Sequence, residues 1–171
     1  MEFENNKKTF LAKTDKSKKG DIDEKILPLV SKINSSKDYY TTSSCAGRIM
    51  VVKAAEKKNE AEWLFVSHDV VKELKLVSEP NAWFKFEPPI LHVCCRNLDF
   101  AQKLLDIARP LFKLSGIIST SKLIVEIRGT DRIEAPILGM TQEYLDSLVG
   151  IANSKLESGW KKLKELETKF I

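Results

Sequence analysis

The sequence predicts an α+β (mixed α/β) fold: a mixed, largely antiparallel sheet covered by helices, with a long helix at the C-terminus. Three observations carry this. Lysine-rich segments with helical spacing open the chain, β-branched and aromatic runs follow one another from Tyr39 onward with short turns between them, and residues 142–168 hold an amphipathic helical pattern. Strands that succeed one another without a crossover helix pair antiparallel, which argues against a doubly wound parallel sheet. With 171 residues, 43% of them apolar, residues 1–171 are expected to form a single domain that needs no disulfide or metal to hold it.

Element by element, Phe3, Phe10 and Leu11 among lysines predict a short helix over 3–13 with one apolar side. Thr14 to Asp21 reads as an exposed loop. A helix follows, capped by Asp21 or Asp23, with Ile22, Ile26, Leu29, Val30 and Ile33 at helical spacing and Pro28 marking either a kink or a later start. Tyr39–Ser44, Arg48–Ala55 and Glu62–Ser67 have strand composition, and Asp69–Leu74 a short capped helix. Trp83–Glu87 and the apolar run Ile90–Cys95 predict two more strands, separated by Pro88-Pro89. Asn97 caps a helix whose stripe is Leu98, Ala101, Leu104, Leu105 and Ala108, with Pro110 marking its end or a bend. Ser115–Ser119, Leu123–Arg128 and Ile133–Leu138 are strands, and Thr141 caps the last helix, with Ser158-Gly159 as the place where it would break.

The net charge of +4 permits a nucleic-acid partner without demanding one. Three cysteines, an odd number with Cys94 and Cys95 adjacent, point to a reducing, cytoplasmic setting, and neither an export signal nor a membrane span is expected. There is no G-x-G-x-x-G and no G-x-x-x-x-G-K-[ST], so the common phosphate cradles are excluded. Cys45, His68, His92, Cys94 and Cys95 lack C-x-x-C or H-x-x-x-H spacing, so no metal site is expected.

Four groups of residues have the chemistry of a site. In YYTTSSCAGR, residues 39–48, hydroxyl groups precede Cys45, Ala46, Gly47 and Arg48. That composition suits either a polar-ligand turn or a β-hairpin whose threonines favour the strand. D-x-S-x-K-G-x-x-D places Asp15, Ser17, Lys19, Gly20 and Asp23 beside a helix start, as a phosphate-binding loop or as a solvated cap. His68, His92, Arg96 and Arg128 sit within or at the ends of apolar strands, where such side chains either face a cleft or find a structural partner. The lysines at 7, 8, 13, 16, 18 and 19 form a basic cluster, with aromatics Tyr39, Tyr40, Trp63, Trp83 and Trp160 available for stacking.

On these residues the chain resembles the wybutosine-synthesizing tRNA methyltransferase family, in its archaeal stand-alone form. The resemblance is collinear through the two motifs above, WLFVSH at 63–68, FKFEPPILHVCCRNL at 84–98, SGI at 115–117, IVEIR at 124–128 and EYLDSLVGIANSKL at 143–156. Ala46 stands where the family usually has serine, and Arg109-Pro110-Leu111 replaces a smaller stretch. The resemblance implies a fold that is not a Rossmann methyltransferase, and an S-adenosylmethionine-dependent N-methyltransferase acting on ring nitrogen N4 of a wyosine-type base beside the anticodon of phenylalanine tRNA. On that basis the proton acceptor is Asp15 or Asp23, with His68 or His92 as rivals. Ser17, Ser43, Ser44, Cys45, Gly47 and Ser115 would hold substrate or donor, and Lys19, Arg48, Arg96 and Arg128 would meet phosphates or carboxylates. The alternatives are a noncatalytic tRNA-binding module and a thiol or metal enzyme dependent on Cys45 or Cys94.

Overall fold

The computed structural model describes residues 2–12, 22–53 and 62–170. Their elements run α1 (Glu2–Leu11), α2 (Leu27–Ser35), β1 (Tyr39–Cys45), β2 (Arg48–Lys53), β3 (Glu62–Ser67), β4 (Ala82–Glu87), β5 (Ile90–Cys95), α3 (Leu98–Ala108), β6 (Gly116–Ser119), β7 (Ile124–Arg128), β8 (Ile133–Pro136) and α4 (Gln142–Lys169). The strands make two four-stranded sheets, ordered β1-β5-β7-β6 and β3-β2-β4-β8, with every pairing antiparallel. The single sheet expected from the strand order is replaced by two, the chain changing sheet between β1 and β2, between β4 and β5, and between β7 and β8. Between β1 and β2 stands Gly47 at φ 98°, and between β4 and β5 stand Pro88 and Pro89, which have no N–H to donate.

The described residues accordingly fall into two compact units. Met1–Ala46, Pro89–Thr130 and Trp160–Ile171 make the first, Gly47–Pro88 and Asp131–Gly159 the second. In the first, one face of the β1-β5-β7-β6 sheet is apolar. Leu91 and Val93 of β5 and Val125 and Ile127 of β7 join a buried cluster with Leu29 and Ile33 of α2, Leu104 and Ala108 of α3, and Leu163 and Leu166 of α4. Tyr39 closes this core at one end, its ring edge-on to Phe100 and Phe170 and its hydroxyl donating to the Phe100 carbonyl at 3.0 Å. On the opposite face, α1 lays Phe3 and Phe10 against Tyr40, at centroid distances of 5.4 and 5.7 Å.

Two helix starts show how far local signals reach. Asn97 caps α3 as expected, its side chain accepting from the Phe100 N–H at 3.1 Å. The α2 start differs: the helix begins at Leu27 with Pro28 in its first turn, its N-cap position is Ile26, which has no side-chain acceptor, and the Asp23 carboxylate accepts from the Ala46 N–H.

In the second unit β4 is central, with Phe84 and Phe86 fully buried. The expected helix over 69–74 is absent; the segment is irregular. Its backbone is satisfied instead by amide side chains of α4. Asn153 accepts from the Val71 N–H at 2.9 Å and donates to the Val71 carbonyl at 2.8 Å, while Gln142 donates to the Leu74 carbonyl and accepts from the Leu76 N–H, each at 2.9 Å. Side-chain amides thus supply what a helical ladder would have supplied. The helix α4 itself runs unbroken through Ser158-Gly159. Its buried positions Leu145, Leu148, Val149, Ala152 and Leu156 repeat at helical spacing, and packing of such a stripe outweighs the roughly 1 kcal/mol that one interior glycine costs.

Candidate functional site

The Ser-Cys-Ala-Gly stretch of the first motif is a turn held from two sides. Ala46 is fully buried; its N–H donates to Asp23 Oδ2 at 2.7 Å, and its carbonyl accepts from Trp160 Nε1 at 3.0 Å. Asp23 is only 6% exposed, and its own carbonyl accepts from Ile26 and Leu27, so the residue ties the start of α2 to the end of β1. The ammonium of Lys25 lies over the Trp160 ring, 5.2 Å from its centroid. Complete burial at this point explains why an alanine fits where the resemblance leads one to expect serine. The φ of 98° at Gly47 is open to glycine and costly for residues with a Cβ.

A β-bulge then decides which hydroxyls line the sheet. Thr41 pairs with Val93 and Ser43 with His92, leaving Thr42 as the extra residue, with its hydroxyl donating to the His92 carbonyl at 3.4 Å. Paired residues share a face, so Ser43 and Cys45 lie on the side of His92 and Ile90, away from the apolar core. Across the next ladder His92 pairs with Glu126 and Ile90 with Arg128. This face therefore presents an exposed Ser43, then His92, then Glu126, with Arg128 one row along.

His92 Nε2 is 2.8 Å from Glu126 Oε2. The other carboxylate oxygen, Oε1, stands 3.4 Å from Arg128 Nε, an ion-pair distance without hydrogen-bond alignment, so that buried Nε has no hydrogen-bond partner among the described residues. The rest of the Arg128 side chain is partly open to solvent. A guanidinium so placed has donors left for an incoming carboxylate.

The remaining arginines of the expected set are already engaged. In the first unit, Arg96 donates from Nε to Asp38 Oδ1 at 2.8 Å and from Nη2 to the Lys37 carbonyl at 2.7 Å, pairs with Glu4 through Nη1, and stacks on Phe3 at 4.9 Å. It fastens α1 to the strand ends. In the second unit, Arg48 Nε donates to Glu87 at 2.8 Å and its guanidinium lies 4.9 Å from the centroid of the Trp63 ring. Ser115 is buried, its hydroxyl donating to the Phe112 carbonyl at 2.6 Å, so it closes the turn after α3. His68 belongs to the second unit, directly after β3. Asp15, Ser17 and Lys19 lie outside the described residues.

Cys94 and Cys95 are buried, and burial pushes both thiols up, that of Cys95 to about 12 with further help from Cys94. Little nucleophilic thiolate is therefore available at either position. Iodoacetamide at about pH 8 is expected to leave Cys95 unmodified in the folded protein while a free thiol control reacts fully. Peptide mass spectrometry reads the outcome, and full alkylation without denaturant would contradict the burial.

Reasoning from sequence passed over Glu126 and Asp38, and took Trp160 for a stacking surface where its Nε1 instead donates to the Ala46 carbonyl. For Glu126 a signal exists: in IVEIR it alternates with Val125 and Ile127, as His92 alternates with Leu91 and Val93 in ILHVCC, so each is the polar residue on an outward face.

Fold and site together define an α+β protein with two antiparallel sheets, outside the doubly wound class of nucleotide-binding folds. The chain belongs to the family described as Methyltransferase TYW3, which residues 5–171 match. It is 41% identical to the tRNA wybutosine-synthesizing protein 3 homolog of Danio rerio, over 95% of this chain and 72% of the relative. It is also 41% identical to the tRNA(Phe) 7-((3-amino-3-carboxypropyl)-4-demethylwyosine(37)-N(4))-methyltransferase 1 of Pyrococcus horikoshii, over 90% of this chain and 86% of that enzyme. Among solved structures, the PH1069 protein from Pyrococcus horikoshii superposes with a TM-score of 0.81 at 39% identity, covering 99% of this chain and 96% of its own. No helix among the described residues is long and apolar enough to cross a membrane.

Proposed function

We propose that this protein transfers a methyl group from S-adenosylmethionine to N4 of the 7-(3-amino-3-carboxypropyl)-4-demethylwyosine base at position 37 of phenylalanine tRNA, the reaction named for its archaeal relative. The observation that carries the reading is that relatedness over nearly the whole length of both chains. It is supported by a polar sheet face with hydroxyls, an imidazole and a guanidinium, beside a turn pinned by Asp23 and Trp160. Residues 1–171 act as one functional domain, since the chain passes back and forth between the two units and α4 belongs to both. The setting is the cytoplasm, where tRNA is modified.

The residues of the first unit fit such a donor. Its amino-acid end carries a carboxylate, as does the aminocarboxypropyl group of the base, and Arg128, with a buried Nε lacking a hydrogen-bond partner among the described residues, is suited to hold one of them. The exposed Ser43 hydroxyl can donate or accept beside it. When bound, the sulfonium supplies an already electrophilic methyl group. The protein has to align the ring nitrogen with that methyl, exclude water and take up the proton of the nitrogen. Asp23, buried and committed to the Ala46 N–H, is suited to shaping the turn, whereas His92 is half-buried on an accessible face and is suited to taking the proton.

The test is incubation of the purified protein with methyl-labelled S-adenosylmethionine and tRNA carrying the demethylated tricyclic base, with mass spectrometry of the nucleosides. One added methyl on that base, dependent on protein and donor, is the expected result. Binding of the tRNA without transfer would overturn the proposal and favour a binding module.

A further inference from the structure

We propose that Glu126 is a positioning residue: it holds the His92 ring by Nε2 and so presents the Nδ1 lone pair as the acceptor of the proton released in methyl transfer. The inference rests on the methyl-transfer reading above and assigns that reading a second residue, invisible in the linear motifs.

The geometry is that of an oriented imidazole. Glu126 and His92 are cross-strand partners on the central strands β7 and β5, which fixes their separation more tightly than a loop would. The 2.8 Å contact joins Nε2 to a carboxylate oxygen, and a carboxylate only accepts, so the ring carries its hydrogen on Nε2. The neutral ring then has its lone pair on Nδ1, which hydrogen-bonds to no group among the described residues. Arg128 Nε, 3.4 Å from the second carboxylate oxygen, completes the clamp. The Glu126 side chain is 16% exposed and that of His92 26%, so the pair is shielded yet reachable from the sheet surface. Gly116 pairs with Glu126 on the far side and has nothing within 4 Å of where a Cβ would sit, which leaves the surface beside the pair open.

The step balances without any further reagent. The ring nitrogen of the base forms a bond to the methyl carbon, and the carbon–sulfur bond breaks with its electron pair going to sulfur, leaving a neutral thioether. The proton of that nitrogen passes to Nδ1. The resulting imidazolium is paired with the Glu126 carboxylate, as in other carboxylate–histidine pairs, where the acid orients the ring and stabilises its charge without itself being protonated.

The test exploits the fact that the chain has only two histidines. Nitrogen-15 spectra of the neutral protein, assigned with a His68→Gln control, are expected to show His92 as the Nε2–H tautomer, and Glu126→Gln to yield a mixture of tautomers. This arm needs no activity, so it separates a failed dyad from a failed methyltransferase reading. In single-turnover assays at saturating S-adenosylmethionine, His92→Gln should slow transfer about 100-fold and Glu126→Gln at least about 10-fold. The double variant should be no slower than His92→Gln, since Glu126 acts through the ring. An Nδ1–H tautomer in the wild type, a Glu126→Gln rate within about twofold of wild type, or multiplicative losses in the double variant would overturn the proposal.

Discussion

Asp23→Ala is expected to lower the methyl-transfer rate about 100-fold and the stability of the fold by about 1–3 kcal/mol. The stability loss follows from one atom. Ala46 is fully buried and its N–H donates to Asp23 Oδ2 at 2.7 Å, so the alanine variant removes that acceptor from a buried donor. The rate loss follows from what hangs on the same peptide: Ser43, Ser44 and Cys45 lead into it and Gly47 leaves it with a positive φ. A turn released on that side is still held by Trp160, but a shift of about 1 Å in a positioning element is enough for a loss of this size. Asp23→Asn, which retains a carbonyl acceptor of the same shape, should recover most of the stability. Denaturant unfolding and single-turnover transfer check both halves, and an alanine variant within about twofold of wild type in rate would refute the positioning role.

Phe84→Ala is expected to cost about 3–5 kcal/mol in the second unit, a large share of the roughly 5–15 kcal/mol available to a domain. Phe84 is fully buried on β4, opposite Val51 on one side and Ala135 on the other. Neither neighbour is large enough to fill the space a phenyl ring vacates, so the variant keeps a cavity instead of collapsing around it. Urea unfolding followed by tryptophan fluorescence reads the change, with Trp63 and Trp83 reporting from β3 and β4. A loss under about 1 kcal/mol would mean that the sheet can close over the deletion.

These two cases divide what local sequence reveals from what it conceals. The period of apolar residues is a short-range property, so Glu62–Ser67, Ile90–Cys95 and the Asn97-capped α3 were legible almost to the residue. Where a segment meets a partner distant in the chain, local signals misled. Asp69–Leu74 has the composition of a capped helix, yet its backbone groups are taken by Asn153 and Gln142, which lie 66 to 82 positions away. Asp23 reads as a helix cap and instead accepts from Ala46, 23 positions on. Ser158-Gly159 reads as a break, but burial of the flanking Leu156 and Leu163 carries α4 through it.

The candidate site divides in the same way. Residue types and their order along the chain determined the α+β class and a pool of polar residues with the chemistry of a site, because composition and periodicity are written in the chain itself, while the family came from the resemblance of its collinear motifs. Only the tertiary structure decided which members of that pool are spent on the fold, as Arg48, Arg96 and Ser115 are, and which meet on one sheet face, as Ser43, His92 and Arg128 do. It alone joined Glu126 to His92, 34 positions apart. Register between strands that are not neighbours in sequence depends on a bulge at Thr42 and on the summed packing of both faces, and no local window of residues contains either.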